Sequence, residues 1–208
     1  MKLKRNRTHK NEAKFFAYLI VALIFIMLTN TSTSYGEQNR TIDSLKMVIE
    51  TAERSLPSSN GDGLKMKALG ILAWKLYPSN PDTALQLATE GYHLAEKLED
   101  KKYMTYCLRT QGTIHWSKSD YPGAMECFKK AVIIDESIGD KRALAGDYNN
   151  IGSIYNNQSL YPQSLKYFFK SLKLREELGN QIDVAGCYNN IGGIYSTQSD
   201  YPKALEYY

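Results

Sequence analysis

Tyr148-Asn-Asn-Ile-Gly-Ser-Ile-Tyr155 returns forty residues later as Tyr188-Asn-Asn-Ile-Gly-Gly-Ile-Tyr195. The same offset carries Ser159-Leu-Tyr-Pro162 onto Ser199-Asp-Tyr-Pro202 and back onto Ser119-Asp-Tyr-Pro122, and it relates Gly112, Gly152 and Gly192. Three copies in one register define a repeat. Repeats of this length form architectures in which each unit buries its apolar face only against its neighbours.

Within a unit the apolar spacing is helical, not alternating. Tyr148, Ile151, Ile154 and Tyr155 fall on one helical face, as do Tyr188, Ile191, Ile194 and Tyr195. The polar run Asn156-Asn-Gln-Ser159 ends this first helix. The second starts at Tyr-Pro, because proline's fixed φ and missing N–H suit a first helical turn. Asp120 and Asp200 stand just ahead, placed to accept free N–H groups. Leu165, Phe168, Phe169, Leu172 and Leu174 continue this helix, and Gly179, like Gly139 before it, supplies a left-handed end. The fold class expected is all-α.

The order aromatic-x2-Ile-Gly-x2-Tyr, then Tyr, then small, aromatic and small residues resembles the tetratricopeptide (TPR) repeat. Tyr148, Ile151, Gly152, Tyr155, Tyr161, Ser164, Phe168 and Ser171 fill the pattern in one copy. Leu108, Gly112, Tyr121, Ala124, Phe128 and Ala131 fill it in the copy before, with His115 at an aromatic place; Tyr188, Ile191, Gly192, Tyr195, Tyr201, Ala204 and Tyr208 fill it last. The resemblance implies a TPR-type α-α superhelix, a right-handed solenoid of antiparallel helix pairs. The forty-residue period exceeds the family's usual length, and Glu136 and Glu176 occupy the place of its closing proline. Both departures fit a lengthened second helix, as in the repeats of kinesin light chains and bacterial regulatory TPR proteins. The expected organisation is a capping helix (Ile42, Leu45, Ile49) and linker (Pro57 to Gly63) over 37–62, a divergent first repeat over 63–104, and repeats over 105–144, 145–184 and 185–208, the last cut short.

The N-terminus has a basic stretch to Lys14, an apolar run from Phe15 to Leu28, and a small polar segment to Gly36. Fourteen apolar residues span only ~21 Å as a helix, against ~30 Å of bilayer hydrocarbon. Residues 1–36 therefore read as a secretory signal peptide, or as an uncleaved signal anchor. Either places the body in the periplasm or at the cell envelope facing it. Six Lys/Arg and one acid lie in that leader, which leaves 20 basic and 21 acidic residues in the body. Bulk charge thus gives no support for nucleic-acid binding, which needs a basic face. Cys107, Cys127 and Cys187 are odd in number and match no metal spacing; Cys107 and Cys187, at the same repeat position among apolar neighbours, read as small buried hydrophobes.

No catalytic motif, cofactor signature or metal-ligand set stands out, and the chain reads as a non-enzyme. His115 replaces a packing aromatic, and Gly152 and Gly192 are interior to helices with no strand before them, which excludes a phosphate loop. The TPR resemblance implies that the first helix of each pair lines a concave groove that holds a protein or peptide. The implied groove positions begin with Arg109 and Thr110, Asn149 and Asn150, and Asn189 and Asn190. A turn further on they are Thr113, Trp116 and Ser117; Ser153, Asn156 and Asn157; and Gly193, Ser196 and Thr197. Stacked asparagines suit an extended peptide backbone. Asn150 and Asn190 are equally suited to bonding neighbouring helices. With Arg109 as the lone basic residue, the carboxylate clamp of chaperone-binding TPR domains is disfavoured. The chain resembles exported TPR segments that precede a membrane span and a histidine kinase, cyclase or DNA-binding domain in Bacteroidetes-like bacteria. The expected function is the sensor region of such a protein, with membrane association through the leader or a later span. The alternative is a free periplasmic scaffold.

Overall fold

The computed structural model describes residues 35–55 and 58–208, with side chains from 40–54 and 61–208. Apart from its last two backbone positions, the leader read over 1–36 lies outside the described residues. Nine helices and no strand occur among them: α1 (Tyr35–Ser55), α2 (Ser58–Leu76), α3 (Pro81–Lys97), α4 (Lys101–Ser117), α5 (Tyr121–Ile138), α6 (Lys141–Asn157), α7 (Tyr161–Glu177), α8 (Gln181–Thr197) and α9 (Tyr201–Tyr207). None of these is long and apolar enough to cross a membrane. They fall into two compact units that divide after Tyr103.

One turn type joins the helices from α3 onward. The amides of Asp100, Asp120, Asp140, Leu160, Asn180 and Asp200 donate to the carbonyls of Ala95, His115, Asp135, Tyr155, Arg175 and Tyr195, at 2.9–3.3 Å. This is the Schellman closure, and it requires a left-handed residue just before the donor. Gly139 and Gly179 fill that place after α5 and α7, with φ of 70° and 69°. After α4, α6 and α8 it falls to Ser119, Ser159 and Ser199, and after α3 to Glu99, all with positive φ. The donor then caps the next helix. Asp120, Asp140, Asn180 and Asp200 accept the amides of Gly123, Ala143, Asp183 and Lys203, and Asn80 and Asp100 do the same for α3 and α4. Leu160 has no such side chain and α7 starts uncapped. The true half-period is therefore twenty residues.

In the first unit α1 buries Leu45 and Val48 against Ala68 and Leu72 of α2. The Pro57–Gly63 stretch, expected to be a linker, is helical from Ser58. Its turn-forming residues are overruled by tertiary contacts: Gly61 is buried, Asp62 pairs with Lys97 at 2.7 Å, and Lys65 bridges Glu53 of α1 and Glu90 of α3. Burial counts for more than a weak local propensity.

In the second unit Gly112, Gly152 and Gly192 have like surroundings. A Cβ on each would meet the aromatic sixteen residues on: Phe128 at 2.9 Å, Phe168 at 2.8 Å and Tyr208 at 3.1 Å. Phe128 and Phe168 are almost wholly buried there. Small residues complete the approach: Ser164 Oγ donates to the Gly152 carbonyl and Ser171 Oγ to that of Ala145, both at 2.7 Å, where the other repeats use Ala124, Ala131 and Ala204. Cys107 and Cys187 are fully buried, as expected of small hydrophobes, and the Cys187 thiol donates to Ser171 Oγ at 3.5 Å. Burial pushes the half-buried Cys127 thiol up to about 11.

Gly152→Ala should destabilise the protein by about 1–2 kcal/mol in urea unfolding, since overpacking against Phe168 outweighs alanine's helix preference. Gly146→Ala, on the same helix with nothing near its Cβ position, should stabilise by roughly 0.5–1 kcal/mol. Equal effects at the two sites would remove the packing explanation.

Candidate functional site

The first helices of successive pairs, α4, α6 and α8, each carry a stripe at i, i+4 and i+7: Arg109, Thr113 and Trp116; Asn149, Ser153 and Asn156; Asn189, Gly193 and Ser196. That spacing keeps each set on one face. Cross-links show that the helices are neighbours. Arg109 of α4 reaches Asp147 of α6, and Asn190 Nδ2 of α8 donates to Asn149 Oδ1 of α6 at 3.0 Å. The stripes form one polar face within the second unit.

Its hydroxyls are mostly committed to their own helices. Thr113 donates to the Arg109 carbonyl, Ser153 to that of Asn149, Ser117 to that of Ile114 and Thr197 to that of Gly193, at 2.8–3.0 Å. Thr110, implied as a groove residue, is instead buried and bonded to the Tyr106 carbonyl. Asn190 and Asn149 join adjacent helices, the bonding role left open for Asn190. Asn150 is half-buried, while Asn156, Asn157 and Asn189 are exposed amides. Trp116 packs against the buried cluster of Ala124, Phe128, Ile151 and Ile154.

Arg109 is not a free cation. Its Nη1 donates to Asp135 Oδ2 at 2.7 Å and to Asp147 Oδ2 at 3.4 Å, and its Nη2 to Thr105 Oγ1 at 3.2 Å. Both carboxylates are buried, and neither Oδ1 has a hydrogen-bond partner. Two buried carboxylates facing one guanidinium leave an excess negative charge, which is expensive in a low dielectric. Burial, aided by the neighbouring Asp135 carboxyl and opposed by Arg109, raises the Asp147 carboxyl to about 8. Near neutral pH it holds a proton and can donate it to Asp135, which makes the cluster neutral. Sequence reasoning missed this cluster. The available signal was the repeat register itself, because Asp147 stands where Cys107 and Cys187 stand.

His115 also departs from its expected packing role. Its Nδ1 lies 2.7 Å from Asp120 Oδ2 at the α4–α5 turn. Its counterparts Tyr155 and Tyr195 stack on Tyr167 and Tyr207. In its own repeat the stacking partner is replaced by Cys127, so the imidazole has no ring to lie on. Among the described residues no group of three or more His, Cys, Asp or Glu could hold a metal.

These features define an all-α module of stacked helical pairs with a polar, charge-compensated face. Residues 142–208 match the tetratricopeptide repeat family. BtubC from P. vanneervenii shares the fold at 21% identity and a TM-score of 0.71, over 85% of this chain and 71% of that one. The Pyrococcus horikoshii signal-transduction ATPase with numerous domains, which has a tetratricopeptide repeat sensor, aligns at 20% identity and a TM-score of 0.74, over 90% of this chain and 27% of that one. A Rap protein complexed with Competence and Sporulation Factor aligns at 17% identity and a TM-score of 0.69, over 93% of this chain and 51% of that one. No curated protein matches. The described residues share the all-α fold of stacked tetratricopeptide helix pairs, a fold typical of non-catalytic protein-interaction modules.

The Asp147 carboxyl sets a pH dependence. Its folded value near 8 lies above the ordinary 3.8, so between them the native state holds a proton that the unfolded chain has released. Stability from this group is therefore full below about pH 4 and lost as pH rises towards 8. Asp147→Asn should flatten the fall in melting temperature between pH 5 and 8 and stabilise the protein at pH 8 by on the order of 2–4 kcal/mol. Melts of both proteins across that range check it; parallel curves would refute it.

Proposed function

We propose that the face formed by α4, α6 and α8 binds an extended peptide segment of a partner, and that the chain is the sensor region of a larger, exported signalling protein. The observation that carries the binding reading is the chemistry of the face. It offers exposed amides at Asn156, Asn157 and Asn189, and its one cation is already compensated by Asp135. Paired amide donors and acceptors match a peptide backbone, with modest demand on its side chains. A peptide relying on a carboxylate clamp would find no free cation at Arg109. The sensor reading draws support from the fold shared with the Pyrococcus sensor and with a Rap protein solved with its factor. The chain spans 27% and 51% of those two proteins. Export rests on the basic, apolar and small-polar order of residues 1–36.

Peptides selected from a random library on the full chain should lose roughly tenfold or more in affinity on Asn189→Lys with Asn157→Lys, about 1.4 kcal/mol, without a lowered melting temperature. Selected peptides indifferent to both changes would defeat the groove reading. Residues 1–36 fused ahead of a reporter that is active only outside the cytoplasm should give activity in a Gram-negative host. A silent reporter with the fusion intact in the cytoplasm would defeat export.

A further inference from the structure

The second helices of the pairs carry a different surface. On α5 the outward stripe is Glu126, Lys129, Lys130 and Ile133; forty residues on, α7 places Lys166, Phe169, Lys170 and Lys173 at the same positions. The i, i+3, i+4, i+7 spacing puts each set on one face, and all eight residues are exposed. Five are lysines, and the one acid, Glu126, is paired with Lys130 at 2.7 Å. The acids of the following turn are engaged as well. Glu136 and Glu176 accept from the Tyr148 and Tyr188 hydroxyls, and Glu177 pairs with Lys141. Lys129, Lys166 and Lys170 have no carboxylate partner among the described residues. The body is near neutral in total, so this concentration of cations is local.

Two large apolar side chains break the lysine pattern: Ile133, 65% exposed, and Phe169, 38% exposed. Ile133 lines a cleft of about 280 Å³ together with Val132, Tyr148, Ile151 and Tyr167, with Lys129, Lys170 and Glu136 also in its wall, the Glu136 carboxylate accepting from the Tyr148 hydroxyl. The Lys170 ammonium lies 4.9 Å from the Tyr148 ring centre and 5.3 Å from that of Tyr167, where cation–π attraction holds it over the aromatic wall. An apolar recess beside uncompensated cations has the form of an interface anchor site: a bulky side chain fills the recess and surrounding charges set orientation and partner choice.

We propose that this α5–α7 surface is a second docking site, which takes an acidic segment of a protein partner with one bulky apolar residue in the cleft and carboxylates against Lys129, Lys166 and Lys170. The cleft favours protein over an anionic membrane, because a bilayer would meet the exposed tips of Ile133 and Phe169 and leave the recess unfilled. The site uses none of the asparagine stripe, so the two surfaces can be occupied independently.

The probe is a labelled peptide of alternating Asp and Glu around a central Phe, titrated against the full chain beside its Lys-substituted counterpart and vesicles of phosphatidylglycerol in phosphatidylcholine. The acidic peptide should bind, weaken roughly tenfold or more between about 50 and about 500 mM salt, and weaken at least as much in Lys129→Glu with Lys170→Glu. Ile133→Ser should weaken it in either salt, while Asn189→Lys should leave it unchanged. Circular dichroism showing unaltered helix content in each variant keeps misfolding apart from lost binding. Absence of peptide binding, binding indifferent to Lys129, Lys170 and Ile133, or vesicle binding lost in the same variants without peptide binding would each overturn the proposal.

Discussion

The approach of one aromatic ring to one bare helix backbone governs this molecule. At Gly112 and Gly152 a side chain would collide with the ring sixteen residues on, and at Gly192 it would press tightly on Tyr208 at 3.1 Å. The paired helices can come this close only because the glycine has no Cβ and because Ala or Ser stands at the flanking contacts. Glycine in a helix interior costs about 1 kcal/mol relative to alanine. Three such positions at one spacing show that the close approach returns more than it loses. With the helices that near, Ile151 and Ile154 join Ala124 and Phe128 of the preceding pair in one buried cluster.

Fixed helix spacing and a common turn make the surfaces regular, so function must come from departures from the average repeat. Asp147 is one: at a position that elsewhere buries a thiol, it buries a carboxyl, and Arg109 and Asp135 answer it from two other helices. A buried charged group is tolerated only with compensation. Arg109 could have been the recognition cation of the inner face. Held by Asp135, it leaves that face polar without strong charge.

Much of the architecture could be read from the residues because the decisive ones are small or rigid. Glycine, proline and the Tyr-Pro start fixed both helices of each pair and the forty-residue register. The serines at left-handed positions escaped notice, since Ser119, Ser159 and Ser199 look like ordinary loop residues and only the geometry shows their positive φ. The early part of α2 misled for the opposite reason: Ser58 to Gly63 has the composition of a turn, and contacts to Lys97, Glu53 and Glu90 decide otherwise. The buried charge cluster was hidden by distance, because Asp135 and Asp147 lie 26 and 38 residues from Arg109. The asparagine stripe was visible, but which amides would turn to each other was not. Asn190 bonds Asn149, which belongs to the next stripe position, not its own equivalent, Asn150.

The two faces divide the charge between them. On the inner stripe the single cation is compensated by Asp135 and most of the rest are amides, hydroxyls and glycine, so that face offers hydrogen-bond geometry more than charge. On the outer stripe Lys129, Lys166 and Lys170 have no carboxylate partner among the described residues, and the acids of the following turn are turned to tyrosine hydroxyls or to Lys141. A helix pair in a stacked repeat must bury its small and aromatic residues in fixed places, which leaves only the outward positions free to vary. Chemistry there is constrained by partners and not by folding. The asymmetry between Glu126 and Lys166, or between Ile133 and Lys173, in helices otherwise built alike, is therefore where selection for binding can act without disturbing the glycine contacts on which the stack depends.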